Sequence, residues 1–210
     1  TMNPVDTEDI YRHNAAEDIP WFNPELTLPV RQFIGREAAR AGRVLELGCG
    51  LGHHAIAAAR LGHEVTAVDI SPTAIERARE LASREGVACT FVAGDVRVPL
   101  GELTPGFTLG WDWEMLHHIA PGLRAGYVDN VRRLLAPGAL YLSVSFSVRD
   151  PLFGGIGAER VTPIGTVLYF SSTAEIRALF ERAFEIVELQ EVVIPGRQGE
   201  HIANSVLIRA

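Results

Sequence analysis

The feature that most constrains the fold is an alternation of short apolar runs and helix-forming stretches between residues 44 and 93. Val44–Leu47 is a short apolar run that stops at glycines, as buried strands do. Glu64–Asp69 is rich in β-branched residues, and Ala88–Ala93 is a third strand-like run. Ala55–Leu61 is helix-forming, and a second helix is expected to begin after Ser71 as its N-cap. This order predicts right-handed crossovers and a parallel sheet with helices on both faces.

The second half of the chain continues the alternation. The pattern predicts strands at Phe107–Trp111 and Ala139–Phe146, helices at Gly122–Leu135 and Thr173–Arg182, and two further strands at Phe184–Val193 and Ile202–Ile208. Because Pro195-Gly196 separates the last two strands, they are expected to pair antiparallel at the end of the sheet. We therefore predict an α/β fold in a single domain that spans residues 1–210.

Two segments outside this alternation could cover a site. Residues 1–40 contain Ile19-Pro20-Trp21-Phe22 and a helix-like stretch at Pro24–Arg40, which predict an N-terminal cap or lid. Val148–Val167 contains glycine and proline and has little periodicity. It is long for a connection, and such loops often form lids or binding loops.

Composition narrows the class of partner. The 210 residues carry a formal net charge of -7 and no long basic run, which argues against a nucleic-acid or anionic-membrane surface. The two cysteines are too few for a disulfide framework and fit a reducing compartment. The chain starts without a signal-peptide pattern, and no apolar run reaches the roughly 20 residues that span a bilayer. We expect a cytoplasmic protein that acts on a small-molecule substrate.

The glycine-rich stretch VLELGCGLGHH, residues 44–54, allows three interpretations. It could be a nucleotide-binding turn, a metal site built on Cys49, His53 and His54, or an ordinary tight turn. Ligands in open α/β sheets bind at the carboxyl ends of parallel strands. Asp69 ends the second predicted strand, about 20 residues after the turn, and Asp95 follows the third. This repeated placement of acids favours the nucleotide interpretation.

The residues around the turn indicate which nucleotide. The dinucleotide fingerprint G-x-G-x-x-G needs a third glycine where this chain has His53. The carboxylate of Glu46 beside the turn would repel a diphosphate and suit a cationic ligand with an amino group, such as S-adenosylmethionine. No Cys-x-x-Cys or spaced histidine pair completes a metal-ligand set, so we predict no metal site.

Together these motifs resemble the class I S-adenosylmethionine-dependent methyltransferase superfamily. The resemblance rests on Val44–Gly52, Val65–Asp69, Phe91–Val96 and Phe107–Ile119, and it continues through Tyr141–Phe146 and the terminal strand pair. Within the superfamily, Ile19-Pro20-Trp21 and LGHEVTAVDISPTAIERAR are similar to the small-molecule thiopurine- and tellurite-resistance-type enzymes. The resemblance implies one methyltransferase domain with a Rossmann-like, doubly wound, mainly parallel sheet and S-adenosyl-L-methionine as cofactor.

The resemblance also implies residue roles. Glu46 and the glycine backbone would surround the methionine part, Asp69 would hold the ribose hydroxyls, and Asp95 would accept from the adenine amino group. The expected cofactor-binding residues are Trp21, Glu46, Gly48, Cys49, Gly50, Gly52, His53, Asp69, Ile70, Gly94, Asp95, Val96, Trp111, Asp112 and Trp113. The family's usual acid after the aromatic that opens the fourth strand is Thr108 here, so Asp112 is expected to take its role.

His117 and His118 follow the fourth strand, where a histidine near a methyl acceptor could act as general base. With Asp112 they are the candidate catalytic residues, although both rings could instead be structural. Trp111 and Trp113 alternate and should face one side of the strand, either in the core or as an aromatic wall for a cationic donor. The expected reaction is in-line methyl transfer to an O, S or N nucleophile. A NAD-type oxidoreductase and a catalytically silent S-adenosylmethionine-binding regulator remain alternatives.

Overall fold

The structure, a computed structural model, describes residues 6–37, 42–155, 157–197 and 199–210. Its helices are α1 (Thr7–His13), α2 (Leu28–Arg36), α3 (His53–Arg60), α4 (Pro72–Arg84), α5 (Arg124–Leu134) and α6 (Thr173–Phe180). Its strands are β1 (Arg43–Leu47), β2 (Glu64–Asp69), β3 (Thr90–Ala93), β4 (Phe107–Trp113), β5 (Leu135–Phe146), β6 (Glu159–Val161), β7 (Val167–Tyr169), β8 (Glu185–Gly196) and β9 (Gly199–Arg209). Short 3₁₀ turns lie at Ala16–Asp18, Leu116–His118 and Pro121–Leu123.

Seven strands form one sheet in the order β3-β2-β1-β4-β5-β9-β8. The first five are parallel, whereas β9 runs antiparallel to both β5 and β8. The predicted α/β fold, with a parallel sheet and a terminal antiparallel pair, is therefore confirmed. Strand order reverses between β1 and β4, so the crevice at their carboxyl ends is where this topology binds ligands.

Each face of the sheet carries its own hydrophobic core. One core joins the sheet to α2, α3 and α4 and includes Ile56, Ile75 and Trp111. The other joins it to α5 and α6 and includes Tyr127 and Phe180. Successive residues along a strand point to opposite faces, so neighbouring side chains of β4 enter different cores.

The helix caps follow the sequence signals. Ser71 accepts a hydrogen bond from the backbone N–H of Ala74 at 2.9 Å, and Pro72 occupies the first helical position of α4. Ser172 and Glu175 form a reciprocal capping box at the start of α6. These local interactions fix where α4 and α6 begin.

Several predicted boundaries are wrong. The helix expected at Gly122–Leu135 begins at Arg124, because a 3₁₀ turn occupies Pro121–Leu123. Strand β5 begins at Leu135 and not at Ala139, so Pro137-Gly138 lies within the strand, at a register irregularity between β4 and β5. Strand β3 starts at Thr90. Helix α2 covers Leu28–Arg36 of the expected Pro24–Arg40, whose residues 38–40 lie outside the described residues.

The N-terminal segment packs on the start of α4. Glu8 accepts hydrogen bonds from the hydroxyls of Ser71 and Thr73. Arg77 donates to the backbone carbonyls of Tyr11 at 2.9 Å and Asn14 at 3.1 Å. These contacts hold α1 over the glycine turn that follows β1.

The segment predicted as a lid-like loop at 148–167 contains strand β6, which pairs antiparallel with β7, and one arginine organises the rest of it. Arg160 is buried and donates to the carbonyls of Val148, Asp150, Leu152 and Gly157 at 2.7–3.0 Å. Its guanidinium also lies 4.0 Å from the ring centroid of Phe170. One side chain therefore satisfies carbonyls that a loop of this length would otherwise expose. Among the described helices, none has the length and hydrophobicity needed to cross a membrane.

Candidate active site

The turn after β1 needs glycine for conformation and for space. Gly48 and Gly50 have φ values of 75° and 52°, in the left-handed region that glycine adopts without strain. A Cβ at Gly48 would lie 2.2 Å from the Met115 side chain, and one at Gly50 would lie 2.7 Å from the Tyr11 hydroxyl. The Gly48 N–H donates to the Val68 carbonyl at 2.7 Å. The turn is thus fixed against β2 and covered by α1.

A cavity of about 480 Å³ lies over this turn at the carboxyl ends of the strands. Twelve predicted site residues line it: Trp21, Glu46, Gly48, Cys49, Gly50, His53, Asp69, Ile70, Asp95, Val96, Trp113 and His118. Arg97, Glu114 and Met115, to which the sequence interpretation assigned no role, also line it. The cavity therefore unites residues from the ends of β1, β2, β3 and β4 with the N-terminal segment.

Five predicted residues lie outside this cavity. Gly52 caps α3 and faces Phe91, and Gly94 packs near Leu100. Trp111 is fully buried in the core beneath α2, α3 and α4, so only Trp113 of the two tryptophans reaches the cavity.

Asp112 and His117 are the other two predicted residues that lie outside this cavity. Asp112 points to the other face of the sheet, where the hydroxyls of Tyr127 and Tyr141 lie 2.5 and 3.3 Å from its Oδ2. His117 lines a neighbouring cavity instead. The structure thus places Asp112 away from both cavities, because its neighbours Trp111 and Trp113 occupy the opposite face of β4.

Glu46 places a carboxylate at the cavity, and one of its two oxygens lacks a hydrogen-bond partner among the described residues. The residue is 2% exposed, and its Oε1 lies 3.5 Å from Nδ1 of His54. Its Oε2 has no hydrogen-bond partner among the described residues. A buried carboxylate oxygen is costly without a partner, so the cavity is prepared for a ligand that donates hydrogen bonds or carries positive charge.

Asp69 is held by two backbone groups. The N–H of Gly50 donates to its Oδ2 at 2.8 Å, and the N–H of Ser71 donates to its Oδ1 at 2.9 Å. Burial raises the pKa of Asp69, and these two hydrogen bonds oppose that rise. Each oxygen keeps a second lone pair for a ligand, which suits the adjacent hydroxyls of a ribose.

Asp95 has a partner that the sequence interpretation missed. The Arg97 guanidinium donates to both of its oxygens, with Nε–Oδ1 at 2.8 Å and Nη2–Oδ2 at 2.7 Å. These hydrogen bonds lower the pKa of Asp95 and keep it ionised. An adenine amino group that bonds to Asp95 would share the carboxylate with Arg97.

The N-terminal segment supplies an aromatic wall. The Trp21 indole N–H donates to the Tyr11 hydroxyl at 2.7 Å. The Trp21 ring meets the rings of Tyr11 and His118 edge-on, with centroids 5.8 and 5.7 Å away. Burial and the charge of Asp69 raise the pKa of Tyr11, so its hydroxyl stays protonated. This wall borders the cavity beside the glycine turn, because the Tyr11 hydroxyl lies against Gly50.

The two histidines after β4 differ in their surroundings. His117 stacks on Phe146 at a centroid distance of 4.0 Å, and its Nδ1 accepts the Phe146 backbone N–H at 3.2 Å. Burial holds the pKa of His117 well below its usual value. His118 lines both cavities, and burial lowers its pKa to about 4. Both rings are therefore neutral at pH 7.

The residues considered as metal ligands do not converge. His54 faces Glu46, whereas the His53 ring packs edge-on against Phe22 at 5.1 Å. Cys49 is buried in the turn, and burial raises the pKa of its thiol well above the usual value. Within the described ranges, no group of three or more His, Cys, Asp or Glu side chains is arranged to hold a metal ion.

A second cavity of about 380 Å³ adjoins the first. The two share Trp21, Glu114, His118 and Thr166. Its other walls are Pro20, the rings of His117, Phe146, Phe153 and His201, residues within 162–168, the last residue of β8, Gly196, and Arg197 in the turn that follows it. Nδ1 of His201 lies 2.9 Å from Oδ2 of the buried Asp150.

Comparison with known proteins agrees with this geometry. Residues 44–138 match a family model described as a methyltransferase domain. A ubiquinone biosynthesis O-methyltransferase of Methylocella silvestris is 33% identical over 192 residues, which cover 77% of this chain and 74% of that protein. The 2-heptyl-1-hydroxyquinolin-4(1H)-one methyltransferase of Mycobacteroides abscessus is 31% identical over 144 residues, 66% of this chain, and the match spans 63% of that protein's length.

A solved structure shows the same fold over nearly the whole chain. The 1,6-didemethyltoxoflavin-N1-methyltransferase of Burkholderia thailandensis, determined with bound 1,6-didemethyltoxoflavin and S-adenosylhomocysteine, has a TM-score of 0.72 and 23% identity. The match covers 98% of this chain and 93% of that one. The narrower likeness to thiopurine- and tellurite-resistance-type enzymes stays a prediction. With its sheet order, glycine turn and acidic strand ends, this chain belongs to the class I S-adenosylmethionine-dependent methyltransferases.

Proposed function

We propose that this protein transfers a methyl group from S-adenosylmethionine to a nucleophilic atom of a small molecule. The observation that carries the proposal is the Glu46 carboxylate, which is buried beside the glycine turn with one oxygen unpartnered among the described residues. A ligand with an ammonium group satisfies that oxygen, whereas a diphosphate would meet like charge there. The family of the chain supports the same cofactor.

The residues of the cavity fit the remaining parts of that cofactor. Asp69 is positioned to accept from ribose hydroxyls, because two backbone N–H groups fix its orientation. Asp95 and Val96 at the end of β3 would hold the adenine, and the turn at Gly48–Gly50 permits close approach of its methionine end. When bound, the cofactor supplies a methyl group that its sulfonium has already activated.

The chain contributes alignment and exclusion of water. Tyr11 and Trp21 wall the first cavity, and Trp21, Glu114 and His118 line both cavities where they adjoin. An acceptor in the second cavity would meet the cofactor at this junction. Placing two reactants at near-attack distance can lower a barrier by up to roughly 7–11 kcal/mol.

A small acceptor fits the size and chemistry of the second cavity. About 380 Å³ of concave, largely apolar space is typical of sites for small organic molecules. The names of the relatives refer to a hydroxyquinolone, a ubiquinone pathway and a toxoflavin precursor. The net charge of -7 also disfavours a nucleic-acid substrate. The unpaired thiols of Cys49 and Cys89 support a cytoplasmic location.

Calorimetric titration with S-adenosylhomocysteine and with NADH tests the cofactor assignment. Glu46→Gln should weaken S-adenosylhomocysteine binding roughly 10- to 150-fold, because a hydrogen bond to a charged group contributes about 1.5–3 kcal/mol. Asp69→Asn should also weaken binding, while the exposed control Glu181→Gln should not.

Two results would contradict the assignment. One is unchanged affinity for S-adenosylhomocysteine in Glu46→Gln; the other is preferential binding of NADH by the wild-type protein. A protein that binds S-adenosylmethionine yet methylates nothing in a broad acceptor panel would instead be a silent regulator.

A further inference from the structure

Resting on the proposed function, we propose that Glu114 takes the proton from the methyl acceptor, and that this acceptor is a planar aromatic molecule with a hydroxyl group, bound in the second cavity. No histidine is required for this step. Glu114 follows the last residue of β4 and lines both cavities. It is therefore placed where the acceptor atom and the transferred methyl group must meet.

The backbone of Glu114 is strained in a way that suits a functional position. Its φ is 57°, a left-handed value that is uncommon for a residue with a long side chain. Its N–H donates to the Val144 carbonyl at 2.9 Å, which continues the pairing of β4 with β5 and holds this conformation in place. Such strain persists when the surrounding structure imposes it, and it concentrates at active sites.

The Glu114 carboxylate is also available. Among the described residues, none donates a hydrogen bond to it or forms an ion pair with it. Glu46 also keeps an unpartnered oxygen among the described residues, but it lines only the first cavity. The remaining acids have partners: Asp69 accepts from backbone N–H groups, Asp95 from Arg97, and Asp150 lies against His201 and backbone N–H groups.

The neighbouring histidines are less suited to the task. His117 has Nδ1 occupied by the Phe146 N–H, so its other nitrogen carries the proton. His118 reaches both cavities, but burial lowers its pKa to about 4, which makes it a weak base. His201 lines the second cavity without reaching the first. By contrast, burial raises the pKa of Glu114 to about 7, which matches a general base at neutral pH.

The walls of the second cavity indicate the shape of the acceptor. The rings of His117, Phe146 and His201 form a stack, with Phe146 4.0 Å from His117 and 4.3 Å from His201 and interplanar angles of 8° and 18°. Phe153 and Trp21 add further ring surface. Flat aromatic molecules pack well on such rings, and an aromatic hydroxyl is protonated at pH 7 and needs a base.

The proton transfer balances in charge and atoms. As the acceptor oxygen forms its bond to the methyl carbon, the carbon–sulfur bond breaks and its electron pair stays on sulfur. The Glu114 carboxylate receives the hydroxyl proton and becomes a neutral acid. One positive and one negative charge disappear together, which a site of low dielectric constant favours.

The first test measures binding of 1-naphthol to the S-adenosylhomocysteine complex by tryptophan fluorescence. Affinity should rise about 3- to 10-fold as the pH increases through 7, because ionised Glu114 accepts a stronger hydrogen bond from the hydroxyl. Glu114→Gln should lose this dependence, whereas His118→Asn should retain it. Ile164→Trp, which fills the second cavity, should abolish binding.

The second test measures methylation of phenols of graded acidity. Glu114→Gln should slow turnover of 1-naphthol by about 100-fold or more, since general-base catalysis typically contributes that much. It should slow far less the turnover of pentafluorophenol, which is already ionised at pH 8. Retained affinity for S-adenosylhomocysteine shows that the variant is folded. If Glu114→Gln does not fold, Glu114→Asn is tested in its place, because asparagine tolerates the left-handed region.

The outcomes separate this inference from the proposed function. Loss of S-adenosylhomocysteine binding by the wild-type protein would remove the proposed function itself. If that ligand binds but phenols do not, or if phenols bind and are never methylated, the acceptor class is wrong and the cofactor assignment stands. If His118→Asn, and not Glu114→Gln, removes the dependence on pH, Glu114 is not the base.

Discussion

The substitution Asp112→Asn tests whether the carboxyl group of Asp112 has a structural or a catalytic role. Asp112 is fully buried on the face of the sheet that carries α5, and the Tyr127 hydroxyl donates to it at 2.5 Å. Burial raises its pKa from 3.8 to about 7, although the hydrogen bonds from Tyr127 and its polar neighbours oppose this. The folded protein thus holds the proton at pH values where the unfolded chain has released it. Stability contributed by the neutral acid is present below pH 4 and falls as the pH rises to 7.

The size of this loss follows from the two pKa values. A difference of about 3 pKa units corresponds to roughly 4 kcal/mol between low pH and pH 8. Roughly 1–2 kcal/mol of it is already lost at pH 5, and roughly 2–3 kcal/mol is lost between pH 5 and pH 8. Asparagine does not titrate, so the variant lacks this loss. Relative to wild type, Asp112→Asn should therefore gain roughly 2–3 kcal/mol in free energy of unfolding from pH 5 to pH 8.

Urea unfolding of both proteins at pH 5 and pH 8 gives this double difference. Any effect of the amide that does not depend on pH, such as a weaker hydrogen bond from Tyr127, cancels between the two conditions. The affinity for S-adenosylhomocysteine should be unchanged, because Asp112 lines neither cavity. A double difference near zero would refute the conclusion that Asp112 is protonated in the folded protein near neutral pH. A large loss of affinity for S-adenosylhomocysteine would show that Asp112 belongs to the cofactor site.

Two further predictions concern the loop at 148–167 and the cysteines. Arg160→Lys should speed amide exchange and proteolysis in that loop, because one ammonium group cannot donate hydrogen bonds to all the carbonyls that the guanidinium nitrogens reach. Arg149→Lys is the matched control and should have little effect, because Arg149 forms only an exposed ion pair with Glu191. Burial raises the pKa of Cys89 to about 11, so iodoacetamide at pH 8 should label it far more slowly in the native protein than in urea, and equal rates by mass spectrometry would contradict its burial.

Local patterns carried most of what could be predicted from the sequence. The alternation of strands and helices, the cap at Ser71 and the acid that ends β2 each depend on neighbouring residues, and the structure contains all three. The position of Asp112 was also accessible, because two tryptophans on one face of β4 require the residue between them to face the other way. The prediction instead gave more weight to the acid that the family usually has in this strand, and it assigned that role to Asp112.

Other features depend on contacts that the sequence does not display. Arg97 covers Asp95 only because the turn after β3 brings them together, and the left-handed φ of Glu114 is imposed by pairing with β5. The early start of β5 reflects its register against β4, which overrides the breaking tendency of Pro137-Gly138. These outcomes are set by tertiary structure and not by local propensity.

The two cavities draw on very different parts of the chain. The polar groups assigned to the cofactor lie between Glu46 and Arg97, close in sequence. The second cavity joins Pro20 and Trp21 to the turn between β8 and β9, where Arg197 donates to the Ile19 carbonyl at 3.0 Å across 178 positions. Substitutions in that turn can therefore reshape one chamber while leaving the other intact. Because the two cavities are built from different segments, the acceptor site can change in sequence while the cofactor site is kept.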